Sequence, residues 1–263
     1  MAAARVTYLR LMHKKLLFLI AFAYSFVGHS QTNRLDSALF DPHVTLSYAY
    51  QIPGGDLVSR FGHNSNLGFG FHIKTRKQWY YGLQGTFIFG SHVIAEEGFL
   101  QNLKVEDKYI LDNDGFPAKF SIQQRGFTVG GEFGRLFNVM GPNKNSGILI
   151  KGGLGMMQHK IRIEHQESEI QQLDGEYLKG YDRLTNGMMV TEFIGYYHMS
   201  NNRLINFCIG IEGMHGFTQS RRDMNFDTME KDTAKRKDTL IGLRVGWTLH
   251  LYQRKSEDYY YTY

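Results

Sequence analysis

The stretch HMSNNRLINFCIGIE (residues 198–212) brings together three residue types that do hydrolytic chemistry. A histidine can act as a general base, a serine as a nucleophile and a carboxylate as the group that orients the base. His198 and Ser200 stand beside a short connection, whereas Glu212 falls well inside the next extended segment. With about 3.3 Å of rise per strand residue, that separation puts the carboxylate out of hydrogen-bonding reach of the turn. A hydrolytic centre is therefore the lesser reading of these residues.

Other chemistry-bearing patterns are weaker. DMNFD sets Asp223, Asn225 and Asp227 at alternate positions, as in a calcium loop, but the glycine and glutamate that complete such a loop are missing. His43, His63, His92, His165, His198 and His215 form no closely spaced pair for zinc. The single cysteine, Cys208, excludes an internal disulfide and a multi-cysteine metal site. There is no phosphate-binding glycine loop, since GGLGMM lies inside an extended run. No metal and no cofactor are expected.

The remaining charged residues alternate with apolar ones. In IGLRVGWTLHLY (241–252), Ile241, Leu243, Val245, Trp247, Leu249 and Leu251 share one face, and Arg244 and His250 share the other. The same period of two runs through 43–51, 66–75, 79–89, 125–137, 147–161, 188–199 and 204–215, which predicts eight strands. Most reach the ~9–11 residues that a tilted membrane-spanning strand needs. No apolar run after residue 31 approaches the ~20 residues of a spanning helix. A net charge of +5 with 21% charged residues suggests neither a nucleic-acid partner nor a disordered tail.

The connections sort by parity. Those after the third, fifth and seventh strands are long; those after the second, fourth and sixth are short. A soluble sandwich has no reason for this. An outer-membrane barrel does, with short periplasmic turns and long extracellular loops. The N-terminus fits that route: His13, Lys14 and Lys15 precede an apolar run from Leu16 to Val27, and small residues follow at Gly28 and Ser30. This is the pattern of a secretory signal peptide, over 1–30, with Met1 and Met12 both possible starts. The division that follows is a periplasmic segment over 31–42, a barrel over 43–252 and a periplasmic tail over 253–263.

The signal peptide, alternating strands, parity-sorted loops and aromatics near strand ends (Trp79, Tyr80, Tyr196, Tyr197, Trp247) resemble the small eight-stranded outer-membrane barrels of Gram-negative bacteria. The resemblance implies an all-β, antiparallel, up-and-down transmembrane barrel. PGGDLVSRFG, GEYLKGYDRLTNG and RRDMNFDT are similar to segments of uncharacterised envelope proteins. His198, Ser200 and Glu212, with their H-x-S-N and G-I-E surroundings, resemble the His–Ser–Glu triad of the lipid A 3-O-deacylase barrel. That likeness implies Ser200 as nucleophile, His198 as base and Glu212 as its orienting group.

In such a barrel the strand phases aim Glu132, Glu192, Glu212, Lys74, Lys151, Arg244 and His159 into the lumen, with Arg244 and Glu212 the preferred pair. Eight strands leave an interior barely wide enough for its own side chains, so these charges must pair. The expected role is non-enzymatic: a plugged barrel presenting its long loops. Tyr181, Asp182, Arg183, Arg221, Arg222, Asp223 and Asp227 are the loop residues of types that populate interfaces. Expected partners are outer-membrane lipid, lipopolysaccharide and another envelope protein. A deacylase-like hydrolase, and a narrow pore or accessory of a secretion complex, are the alternatives.

Overall fold

The computed structural model describes residues 38–94, 100–105, 109–165, 170–200 and 205–251. The expected signal peptide over 1–30, Tyr252 and the expected tail over 253–263 lie outside the described residues. Eight strands follow one another: β1 (Asp41–Gly55), β2 (Asn64–Lys74), β3 (Trp79–Gly90), β4 (Phe120–Phe137), β5 (Gly147–His165), β6 (Thr185–Met199), β7 (Asn206–Ser220) and β8 (Lys235–His250). Each pairs antiparallel with the next, and β8 pairs with β1, so the sheet closes into a barrel. Among the described residues no helix is long and apolar enough to cross a membrane; a barrel crosses with strands.

Following paired residues once around the wall leads from Thr45 through Gly70, Gln84, Gly130, Gly155, Met189, Gly216 and Asp238 back to β1 at Gly55. The register has slipped by ten residues, from 45 to 55. Eight strands with that stagger must tilt by about 40° and enclose a lumen that side chains fill.

The period-two pattern becomes an inside-out protein. Leu46, Phe69, Leu83, Phe133, Leu154 and Ile241 are all more than half exposed on the outer wall. Asp41, His43, His72, Lys74, Glu212 and Arg244 are buried within. Apolar surface this continuous, wrapped around a polar interior, is the surface of a membrane-spanning barrel. Near the turn end, Trp79 stacks on Phe133 (5.0 Å between ring centroids) and lies under the Arg135 guanidinium (5.2 Å). Aromatic and cationic groups of this kind anchor a barrel at the bilayer boundary. Tyr80 and Tyr197 belong elsewhere: both are buried in the lumen, not in the girdle.

Several strands are longer than the periodicity indicates. β4 begins at Phe120 and β8 at Lys235. Beyond the bilayer, strands keep pairing but no longer need an apolar exterior, so the alternation fades while the ladder continues (Phe120 still faces His165). A conventional apolar core lies at the loop end. Leu57, Phe61, Ile110, Ile161, Leu173 and Tyr181 are among the residues buried there. At the exit of β1, Gly55 has φ 59°, and a Cβ there would lie 2.3 Å from the Lys237 carbonyl oxygen, so only glycine fits this bend. At the turn end, Asn145 Oδ1 accepts from Leu39 N and Lys74 Nζ, both at 2.9 Å, and Asn143 Nδ2 donates to Met199 O at 2.7 Å.

Candidate functional site

Inward positions alternate along every strand, so lumen groups stack in layers. Nearest the turn end, Asp41 bridges His43 and His250, and His43 Nε2 meets the Tyr80 hydroxyl at 3.0 Å. One layer up, Glu132 accepts from Lys151 Nζ at 2.6 Å and faces His72 Nε2 at 2.9 Å. With its amide nitrogen turned toward Glu132, Gln84 donates to both carboxylate oxygens, at 3.1 and 3.2 Å. Next, Arg244 donates to Glu212 Oε1 (2.7 Å), Ser47 Oγ (2.6 Å) and Asn66 Oδ1 (3.0 Å), and Gln51 donates to Glu212 at 2.7 Å. Under the loops, Asp238 accepts from Arg60 (3.1 Å) and lies 2.7 Å from His159 Nε2.

Among the described lumen residues, Glu132, Glu212 and Asp238 are thus paired with Lys151, Arg244 and Arg60, Asp41 with His43 and His250, and Lys74 donates to Asn145. Buried charge that is balanced and hydrogen-bonded is the form that a lumen of this width tolerates. The cavity between Gln84, Thr86, Thr128, Glu132 and Met214 holds about 10 Å³, space for a single water.

Glu192 is a correction. β6 carries apolar residues on both faces, so its period does not fix its phase. In the structure Phe193 and Tyr197 point inward and Glu192 outward, its side chain 72% exposed. Phe193 decides the phase. Its ring fills space left by Gly195 and Gly210, 2.7 and 2.8 Å from where their Cβ atoms would be, and Lys151 Nζ sits 5.1 Å from its centre. Glu192 then stands on the lipid-facing wall between Gly152 and Gly213, with Val190 and Ile194 above and below. His215 Nε2 lies 3.4 Å from its carboxylate there. A carboxylate in hydrocarbon is unfavourable, though less so than arginine or lysine. Replacing Glu192 with leucine is expected to stabilise the barrel in lipid vesicles by roughly 1–2 kcal/mol. An unfolding free energy that stays level or falls, measured by denaturant titration, would refute the lipid-facing placement.

The loop residues interlock. Arg222 pairs with Asp182 through two hydrogen bonds, one of them 2.7 Å from Nε to Oδ1. This bond holds the guanidinium pKa above its ordinary value. Arg183 pairs with Asp227, and Tyr181 meets Phe226 edge-on at 5.6 Å. Burial first, then the charge of Asp227, raises the Tyr181 hydroxyl pKa. Arg221 donates to Asn186 at 2.5 Å, and Asp223 stands 3.9 Å from Lys231. Asn102 donates to the carbonyls of Phe226 (3.2 Å) and Asp227 (3.1 Å), which ties a third loop into the cluster.

His198, Ser200 and Glu212 are not brought together. His198 stacks on Phe207 at 5.0 Å on the outer wall. The Ser200 amide donates to Asn206 Oδ1 in the turn, at 3.0 Å. Glu212 lies on the opposite face, buried against Arg244.

No family model and no curated protein matches the sequence. Solved structures give a likeness in fold alone. Ail, the attachment invasion locus protein of Yersinia pestis, crystallised with the heparin analogue sucrose octasulfate, is 13% identical with a TM-score of 0.40, over 80% of this chain and 99% of that one. Neisserial surface protein A is 7% identical with a TM-score of 0.40, over 79% of this chain and 96% of that one. A major outer membrane protein of Thermus thermophilus is 9% identical with a TM-score of 0.39, over 79% of this chain and 99% of that one.

Lys235 and Lys237 complete the picture at the loop end. They lie exposed at the start of β8, beside the Arg236–Asp232 pair at 2.5 Å. Burial acts to raise the Asp232 pKa, but the hydrogen bonds from Arg236 and the Ala234 amide prevail and hold it below the usual carboxylate range. Arg221, Arg222 and Arg236 are therefore hydrogen-bonded within the loops, whereas Lys235 and Lys237 are exposed.

Proposed function

We propose that this chain is an outer-membrane barrel, exported by its N-terminal signal peptide, whose plugged stem holds a rigid loop platform for docking at the cell surface. One observation carries the reading. The segments 170–184 and 221–234 are cross-braced by Arg222–Asp182, Arg183–Asp227 and Tyr181–Phe226, and packed on the apolar cluster that seals the mouth. Braced loops lose little entropy on binding, which is what a recognition surface needs. The balanced charge layers support a structural stem over a pore. The separation of His198 and Ser200 from Glu212 supports a non-enzymatic role.

Lys235, Lys237 and Arg221 stand where the phosphates of lipopolysaccharide would meet them, and charge-assisted contacts with phosphate are among the stronger hydrogen bonds. Replacing residues 221–234 by a glycine–serine linker of equal length, together with Lys235→Gln and Lys237→Gln, should leave the barrel folded, with its heat-modifiable gel migration intact. Binding to lipopolysaccharide-containing vesicles should fall by about tenfold or more, since losing even one charge-assisted contact removes about 1.5–3 kcal/mol. Undiminished binding by the folded variant would remove the support for this platform.

A further inference from the structure

The layer nearest the turn end is built differently from the three above it. Asp41 and His43 are two residues apart on β1 and point into the lumen together, and His250 on β8 is the direct cross-strand partner of His43. His250 Nδ1 lies 2.7 and 2.9 Å from the two Asp41 carboxylate oxygens. His43 Nδ1 lies 3.3 Å from Asp41 Oδ2 and 3.1 Å from the Asp41 carbonyl oxygen. One ligand atom from each of the three side chains falls within 4.8 Å of the others, and the side chains of Asp41, His43 and His250 are 0%, 0% and 2% exposed.

We infer that Asp41, His43 and His250 form a binding site for a zinc-like divalent cation that fastens the first strand to the last. The donor set selects the class of ion. Two imidazole nitrogens and one carboxylate suit zinc and its neighbours, whereas calcium and magnesium take oxygen ligands. Donors about 3.3 Å apart are spaced as ligands of a tetrahedral ion with bonds of 2.0–2.1 Å, and the closer Asp41–His250 pair needs to open by only a few tenths of an ångström.

The surroundings are those of ligands held from behind. His43 Nε2 sits 3.0 Å from the Tyr80 hydroxyl; binding the ion would release the proton with which Nδ1 faces the Asp41 oxygens, while Nε2–H donates to the hydroxyl oxygen and holds the ring in place. The Tyr197 hydroxyl donates to Asp41 Oδ2 at 3.4 Å. Place matters as much as chemistry. The site lies on the seam where the barrel closes, between residues 209 positions apart. Of all links across the wall, those at the seam close the longest loop of chain, so a clip there constrains the unfolded state most.

The competing arrangement is a purely hydrogen-bonded one, with Asp41 accepting from both imidazoles and no ion taken up. Untagged protein is purified from membranes in detergent, stripped with chelator and dialysed against zinc. The expected result is about one zinc per chain, a rise in the temperature at which the heat-modifiable band is lost, and loss of both in His250→Gln. Cobalt in place of zinc should give visible absorption distinct from that of the hydrated ion. Tyr80→Phe, which removes a positioning group and no ligand, should weaken zinc binding by about tenfold or more while leaving one site per chain. The wild-type comparison with and without zinc stands even if a variant fails to fold. Wild-type protein that takes up no zinc, or an unfolding temperature that zinc leaves unchanged, overturns the inference. So does uptake by folded His250→Gln equal to wild type.

Discussion

Arg244→Leu is expected to lower the unfolding free energy by about 3–5 kcal/mol, the range for removing one partner of a buried ion pair. The guanidinium is 2% exposed and donates to Glu212, Ser47 and Asn66. Without it, Glu212 is left, among the described residues, with its bond from Gln51 Nε2 at 2.7 Å and no ion-pair partner. The double variant Arg244→Leu with Glu212→Leu separates the pair's net worth from the burden of an orphaned charge. It should recover most of the loss, because replacing both partners of a buried pair by apolar groups is often near neutral. Denaturant titration in lipid vesicles reads both, with Trp79 and Trp247, both on the outer wall, as probes. A single-variant loss under about 1 kcal/mol would mean that water reaches Glu212, and would count against the plugged stem proposed above.

The wall of this protein was legible because lipid and lumen impose opposite demands on adjacent residues. Leu243, Arg244 and Val245 show it within three positions, and the structure places them out, in and out. Where both demands relax, the signal went. β6 offers apolar side chains to both faces, and its phase was set by Phe193 filling a gap left by two glycines on β6 and β7, Gly195 and Gly210. Period alone cannot register that. The ends of β4 and β8 rise past the apolar belt, where pairing persists without alternation. The seam cluster was invisible for another reason. Spacing rules look for ligands close in the chain, and the partner of His43 lies at the far end, brought home only by closure of the barrel. The mouth core was missed because Leu57, Phe61, Leu100 and Ile110 are scattered over separate connections with no period at all.

Asp238→Ala is the second large effect, and it should differ in kind from the first. Asp238 is fully buried and takes hydrogen bonds from Arg60 (3.1 Å) and Thr218 (2.5 Å), with His159 Nε2 at 2.7 Å. Burial pulls the Arg60 guanidinium pKa below its ordinary value, and Asp238 is the group that pushes it back. Arg60 is not a strand residue. It follows the short 3-10 turn at Asp56–Ser59, so its pairing ties the first loop into the barrel mouth. Removing the carboxylate orphans a buried cation, with an expected loss of about 3–5 kcal/mol. The freed guanidinium, unlike Glu212 in the lumen, has an escape route, because its loop can lift toward water. Hydrogen exchange should therefore quicken at the amides of Arg60 and Phe61, which bond to the Leu57 carbonyl at 3.0 and 2.9 Å, and stay unchanged in the layer around Glu212. Since Phe61 packs in the apolar cluster beneath the loops, the same substitution should weaken the vesicle binding proposed for those loops without touching any residue of 170–184 or 221–234. Exchange that quickens equally through the whole wall would show instead that Asp238 supports the barrel at large and that the mouth has no separate stability of its own.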